Sequence, residues 1–216
     1  VENGKVIRSI YSNVDPDKPM IALTYDDGPY SPVTSRILDA LEAVGGRATF
    51  FNVGNRIGSY QDVAKRAVQI GCSISNHTWD HTSLTSLGSS SIVSEINGCD
   101  NAIKNYTGET SLLVRPVGGA VNATVKASVD APLILWSVDT LDWKNRNASS
   151  VYSKVIGHVQ DGDIVLMHDL YTSTAEASEK MIPELVREGY QLVTVEELAY
   201  YKGYTLKDGQ TYTCFR

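Results

Sequence analysis

Short apolar, β-branched segments recur along the chain, each followed by a stretch whose apolar positions return every three or four residues. Met20–Tyr25 leads into Val33–Val44, Ala48–Val53 into Tyr60–Ile70, and Cys72–Ser75 into Ser89–Tyr106. The unit is strand then helix. It repeats as Leu112–Arg115 then Ala120–Asp130, Leu133–Val138 then Ala148–Val159, Ile164–His168 then Thr174–Arg187, and Gln191–Val195 then Glu196–Tyr201. Near-continuous apolar strands need cover on both faces. The pattern therefore predicts an α/β fold in which about seven parallel strands curl into a distorted, incomplete (β/α) barrel, with an open doubly wound sheet as the alternative. Turn residues such as Gly45-Gly46, Gly71 and Asp161-Gly162-Asp163 fill the connections. No linker divides the chain, so residues 1–216 are expected to form a single domain. The tail Tyr204–Arg216, with Asp208-Gly209 between Thr205 and Thr211-Tyr212, reads as a short C-terminal hairpin.

Composition narrows the partners. A chain of 216 residues, 42% of them hydrophobic, can bury one substantial core. Its net charge of -6 and the lack of any Lys/Arg cluster argue against nucleic acid and favour a neutral substrate. No stretch is apolar for long enough to cross a membrane, and Val1-Glu2-Asn3-Gly4 lacks the parts of a signal peptide. Beginning at Val1 fits a processed or excised domain, possible origins being a secreted or a multidomain protein. Of the three cysteines, Cys72 and Cys99 are expected as core thiols rather than as a bridge, and none has the short spacing of a thiolate zinc site. Monomer is the expected state.

The candidate chemistry lies where strands end. Asp26 and Asp27 close the first strand, His77 and His81 follow the third, and Arg115 ends the fourth. Asp139 and Asp142 end or follow the fifth, and His168 ends the sixth. In a βα barrel these positions share one rim, the rim that carries active sites. Singly they are weak: Asp27-Gly28-Pro29 is an ordinary turn, and two histidines four residues apart are more often surface residues than ligands. Together they offer two carboxylates and two imidazoles. One Asp with both His could hold a divalent cation while the other Asp serves as a base toward water. His158, on a predicted helix, is read as structural.

Five segments resemble, in order, the motifs of the polysaccharide deacetylases of carbohydrate esterase family four. They are Thr24-Tyr25-Asp26-Asp27-Gly28-Pro29, His77-Thr78-Trp79-Asp80-His81, Arg115-Pro116-Val117-Gly118-Gly119, Asp139-Thr140-Leu141-Asp142-Trp143 and Leu166-Met167-His168, within a motif-bearing core at 20–201. The resemblance implies a secreted, extracellular hydrolase that uses one divalent metal ion, zinc or cobalt, to remove acetyl groups from a polysaccharide. It implies Asp27, His77 and His81 as metal ligands, Asp26 as general base, and Arg115 as the residue that orients it. His168 is the implied acid, held by Asp142 or, as the alternative, Asp139. A main-chain donor near Gly118 faces the acetyl oxygen, Trp143 and Leu166 line the acetyl pocket, and Tyr25 joins the substrate side. The third motif departs from the family pattern. Val117 and Gly118 stand where a second proline and an aromatic are usual, which removes a ring from the groove wall.

Within the family the expected substrate is O-acetyl xylan, making the chain an acetyl-xylan esterase. N-deacetylation of chitin or peptidoglycan is the alternative. A non-catalytic carbohydrate-binding module would be expected to have lost at least one of the motif residues. A metallopeptidase would carry His-Glu-x-x-His, which is absent.

Overall fold

The computed structural model describes residues 13–216. In chain order they form β1 (Met20–Asp26), α1 (Ser31–Val44), β2 (Thr49–Asn52), α2 (Gly54–Ile57), α3 (Gln61–Gln69), β3 (Ser73–Asn76) and α4 (Ser89–Thr107). There follow α5 (Ala123–Ser128), β4 (Leu133–Ile134), β5 (Val138–Asp139), α6 (Asp142–Asn145), α7 (Ala148–Val155) and β6 (Ile164–His168). The chain ends with α8 (Thr172–Arg187), β7 (Gln191–Leu192), α9 (Val195–Tyr201) and β8 (Thr211–Tyr212).

Parallel strands run in the order β3-β2-β1-β6-β5, with β7 also pairing β1. The ring continues through bridges from Asn76 to Val114 and from Val114 to Leu133. The result is the expected distorted barrel. Its irregularity has a visible cause: β2 pairs only the upper half of β1, Thr24 to Asp26, whereas β7 pairs Met20 and Ile21 below. Arg47 N–H then donates to Leu192 O, so β7 is wedged where β1 and β2 part.

Alternation along the strands divides the side chains. On the outer face Ile21, Leu23 and Tyr25 pack with Ile37, Leu38 and Leu41 of α1 and Met181, Ile182 and Leu185 of α8. Inside, Met20, Ala22, Phe51, Ile164 and Val193 fill the lower barrel, with Leu198 and Phe215 closing it. Above that apolar layer the inward positions turn polar, at Thr24, Asp26 and His168. Local chemistry sets the helix limits. Gly45 stops α1 in a left-handed conformation, φ 65°, and Thr194 and Glu197 form a reciprocal capping box on α9.

Three expectations need correction. The predicted strand Leu112–Arg115 reduces to the bridge at Val114, and Leu133–Val138 divides into β4 and β5, which pair different neighbours. The tail is not a hairpin: β8 runs parallel to β4, with Leu133 N–H donating to Gln210 O and Leu135 N–H to Tyr212 O. The open edge of β4 offered unpaired backbone groups, and the tail satisfies them better than its own short Thr205 segment could. No disulfide joins Cys72, Cys99 and Cys214, and Cys99 Sγ donates to Asn52 O at 3.3 Å. Among the described residues, no helix is long and apolar enough to cross a membrane.

Candidate active site

Register brings the reactive residues together. β1 and β6 pair with Thr24 opposite Leu166 and Asp26 opposite His168, so these four side chains share the inward face at the carboxyl end of the barrel. Tyr25 and Met167 point the other way. Tyr25 is fully buried, stacks on Phe50 with centroids 5.2 Å apart, and its hydroxyl is 3.0 Å from Ser178 Oγ. Burial, ahead of every other influence, pushes its phenol pKa up. Tyr25 is a core residue and does not reach the substrate side, which corrects its assignment there.

Asp27, His77 and His81 converge. Asp27 Oδ1 lies 3.3 Å from His77 Nε2 and 3.0 Å from His81 Nε2, and one ligand atom from each residue fits within 4.8 Å of the others. His77 Nδ1 is 2.7 Å from Arg115 O, a carbonyl that can only accept, so the ring proton sits on Nδ1 and Nε2 presents its lone pair to Asp27. Asp27 Oδ1 is itself buried with no hydrogen-bond partner of good geometry. Burial works against the Asp27 carboxylate, but the two imidazoles outweigh it and hold the group well below the usual carboxylate range. Contact with Asp27 chiefly raises the His81 pKa. A buried carboxylate oxygen with two imidazole Nε2 atoms within 3.3 Å is a donor set that a shared cation would satisfy, and N2O suits a borderline divalent ion such as zinc or cobalt. Two of the ligands and the loop between the histidines are held under strain: Asp27, His81 and Thr78 have φ of 73°, 68° and 68°, each costing roughly 1–3 kcal/mol for a non-glycine residue.

Beside this triad sits a buried ion pair. Arg115 is fully buried, its Nη1 donating to Asp26 Oδ1 at 2.8 Å and to Thr24 Oγ1 at 2.6 Å. Nε and Nη2 donate to the carbonyls of Ile134 and Leu135, and the guanidinium lies over Phe51, 4.1 Å from the ring centre. Burial draws the Arg115 pKa down, and Asp26 opposes that fall. With Oδ1 held by Arg115, the other oxygen of Asp26 faces the triad, 3.8 Å from His77 Nε2.

The second aspartate pairing resolves in favour of Asp142. Its Oδ1 is 2.8 Å from His168 Nδ1, while Oδ2 accepts from His168 N–H at 2.7 Å and from Thr174 Oγ1 at 2.7 Å. Burial works against the charged imidazole, yet Asp142 prevails and raises the His168 pKa to about 9. Asp139 instead caps its own turn, accepting from Leu141 N–H at 2.8 Å. That local bond leaves it apart from His168.

The remaining candidates lie around the rim. Gly118 is exposed in the turn after Arg115-Pro116, at φ 61°, where a Cβ would meet nothing; glycine is there for its backbone conformation rather than for space. Trp143 is 47% exposed next to Asp142, and Leu166 is buried on the floor below His168. His158 is exposed in the turn after α7.

Several residues at the site carry no motif signal of their own. Trp136 lies 5.8 Å from the Arg115 guanidinium and against Gly119, lining the wall where the third motif lacks its ring. Arg146 covers the Tyr171 ring at 3.4 Å beside His168. Asp169 is fully buried, bonded to Thr34 Oγ1 at 2.5 Å, and burial lifts its pKa to about 7. Its carboxyl presses on Gly28, so closely that a Cβ there would fall 2.2 Å from Oδ2. Only its place beside His168 at the end of an apolar strand could have singled it out.

A parallel βα barrel that gathers an Asp-His-His triad, an Arg-supported Asp and an Asp-supported His at one rim defines a class of protein, and comparison with known proteins gives it a family. The family model for polysaccharide deacetylase matches residues 13–133. Peptidoglycan-N-acetylmuramic acid deacetylase PdaC of Bacillus subtilis is 38% identical over 185 residues, covering 86% of this chain and 40% of that protein. Peptidoglycan-N-acetylglucosamine deacetylase PgdA of Listeria monocytogenes is 40% identical over 178 residues, covering 82% and 38%. The chain thus spans about 40% of the length of these relatives. A family 4 acetyl xylan esterase from Clostridium thermocellum, solved with a cobalt ion, superposes with a TM-score of 0.85 at 32% identity, covering 90% of this chain and 98% of that one. The chain belongs to the polysaccharide deacetylase family, carbohydrate esterase family four.

Proposed function

We propose that this chain is a divalent-metal-dependent deacetylase of an N-acetylated cell-wall glycan, with peptidoglycan as the favoured polymer and an extracellular site of action. The observation that carries the reading is the gathering, beside the Asp27-His77-His81 triad, of a carboxylate held by Arg115 and an imidazole held by Asp142, paired in register on neighbouring strands. A zinc or cobalt ion bound by Asp27, His77 and His81 would supply a Lewis acid that polarises the acetyl carbonyl and lowers the pKa of water.

The chain's own residues divide the proton work. Asp26 accepts the proton of the attacking water on the oxygen that Arg115 leaves unbound. Arg115, bonded to two carbonyls and to Thr24, cannot swing away, so the base is oriented before substrate arrives. His168 protonates the departing nitrogen or oxygen at Nε2, because Asp142 occupies Nδ1 and keeps the ring charged at neutral pH. Gly118 contributes a main-chain N–H toward the developing oxyanion, and Trp143 and Leu166 shelter the acetyl methyl. An amine leaving group must be protonated to depart, so an imidazolium kept charged to about pH 9 suits amide cleavage.

Similarity supports the polymer: the two peptidoglycan deacetylases are 38% and 40% identical to the chain. The xylan expectation has a relative in the clostridial acetyl xylan esterase at 32% identity and stands as the second reading. The test is acetate release from peptidoglycan glycan strands, chitooligosaccharides and acetyl-xylan, with chelator and after return of zinc or cobalt. Faster release from peptidoglycan supports the reading, preference for acetyl-xylan selects the second, and no acetate from any of them with metal present overturns both.

A further inference from the structure

The three residues of the triad are not equally secured. Asp27 directly follows the central strand β1. His77 is buried, its N–H bonded to Asn52 O at 3.0 Å and its ring to Arg115 O. His81 is different, its side chain 47% exposed at the far end of a loop that passes through two left-handed residues. What fixes His81 is the path of Thr78-Trp79-Asp80.

That path is splinted by one helix, α4. Asn76 Nδ2 donates to Ile96 O at 2.9 Å and to Asp100 Oδ1 at 2.8 Å, which leaves Asn76 Oδ1 to accept Thr78 N–H at 2.8 Å. Trp79 lies against Gly98 of α4, its Cβ and Cγ 3.4 Å from where a Cβ there would stand. The peptide N–H groups of Trp79 and Asp80, the two units immediately before His81, both point to Glu95 Oε2, at 3.0 and 3.3 Å. On the other side Gly54 and Asn55 donate to the carbonyls of Thr78 and Trp79. Glu95 is therefore the side chain that engages the last stretch of loop before the exposed ligand. Its charge strengthens both bonds.

We propose that Glu95 is a positioning residue for the metal centre: by clamping the Trp79 and Asp80 amides it holds His81 against Asp27, and its loss weakens metal binding through His81. The inference rests on the metal reading of the triad. Partners behind metal ligands typically change affinity about 10- to 100-fold when removed.

The test is a zinc titration of the whole chain against a chromophoric chelator. Glu95→Ala should raise the dissociation constant by at least ~10-fold, and Glu95→Gln, which keeps an accepting oxygen without the charge, by less. In a cycle with His81→Ala the Glu95→Ala effect should largely disappear, because no ligand is left to position. At saturating zinc the kcat of Glu95→Ala should return to near the wild-type value, while the exposed control Glu188→Ala changes nothing. Melting of the metal-free proteins shows whether any loss is merely of stability. A Glu95→Ala affinity within about 3-fold of wild type, set against the ~10-fold expected, overturns the inference alone, as does full additivity with His81→Ala. Failure of the wild-type chain to bind any divalent ion overturns the metal reading together with it.

Discussion

Replacing Asp142 with Asn removes one charge and almost no volume, so it isolates what the carboxylate does for His168. The imidazole is only 13% exposed and 2.8 Å from Asp142 Oδ1, and its pKa stands at about 9 against an ordinary 6.5. At about 1.36 kcal/mol per pH unit, that displacement corresponds to at most ~3.5 kcal/mol of preference for the charged ring. The sign follows from linkage. A pKa raised on folding stabilises the native state fully below about 6.5, and the contribution is lost as pH rises through about 9. At pH 8 the wild-type ring is about 90% protonated, whereas a ring returned to ~6.5 is only ~3% protonated, a difference of roughly 30-fold in active acid. The assay is kcat on an N-acetylated chitooligosaccharide between pH 5.5 and 10. Asp142→Asn should move the alkaline limb down by about 2.5 pH units and lose most activity at pH 8, much less at pH 6. The variant also places an amide NH2 among donors from His168 N–H and Thr174, which should cost about 1–3 kcal/mol in a denaturant melt. Coincident alkaline limbs in the two proteins, or equal losses at pH 6 and pH 8, would refute the assignment of His168 as the acid.

Other substitutions separate the remaining roles. Asp26→Asn should keep the metal stoichiometry measured by elemental analysis while lowering kcat by about 10²- to 10⁴-fold; loss of metal along with activity would mean that Asp26 is a ligand rather than the base. His168→Ala should abolish amide cleavage yet leave measurable hydrolysis of a matched acetyl ester, whose leaving group needs less help; equal losses on both would contradict an acid role. Gly28→Ala would drive a Cβ to within 2.3 Å of both Asp169 carboxylate oxygens, so a destabilisation of about 1–3 kcal/mol is expected. Asp169→Ala in the same chain should recover part of it, and a Gly28→Ala protein as stable as wild type would show that the carboxylate simply moves aside.

The strand-helix alternation, the barrel class and the motif residues at strand ends were legible in the sequence because each rests on local periodicity. Asp26 and His168 face one way and Tyr25 the other through the same two-residue alternation, although the sense of that alternation had to await the packing of α8 on Tyr25. Pairings across the chain were another matter. Arg115 meets Asp26 from 89 residues away and Asp142 meets His168 from 26, while Asp139, the alternative the sequence left open, spends its carboxylate on its own turn. The tail looked like a hairpin, but its strand was claimed by the open edge of β4. Glu95, Asp169 and Trp136 belong to no local pattern. Their place at the site comes from α4 lying along the His77–His81 loop, from Asp169 pressing on Gly28, and from Trp136 packing beside Arg115. Sequence alone determined which residues could do chemistry, since side-chain type and alternation are written locally. Tertiary structure decided which of them act as pairs, because the direction of each hydrogen bond depends on elements that meet only when the barrel closes.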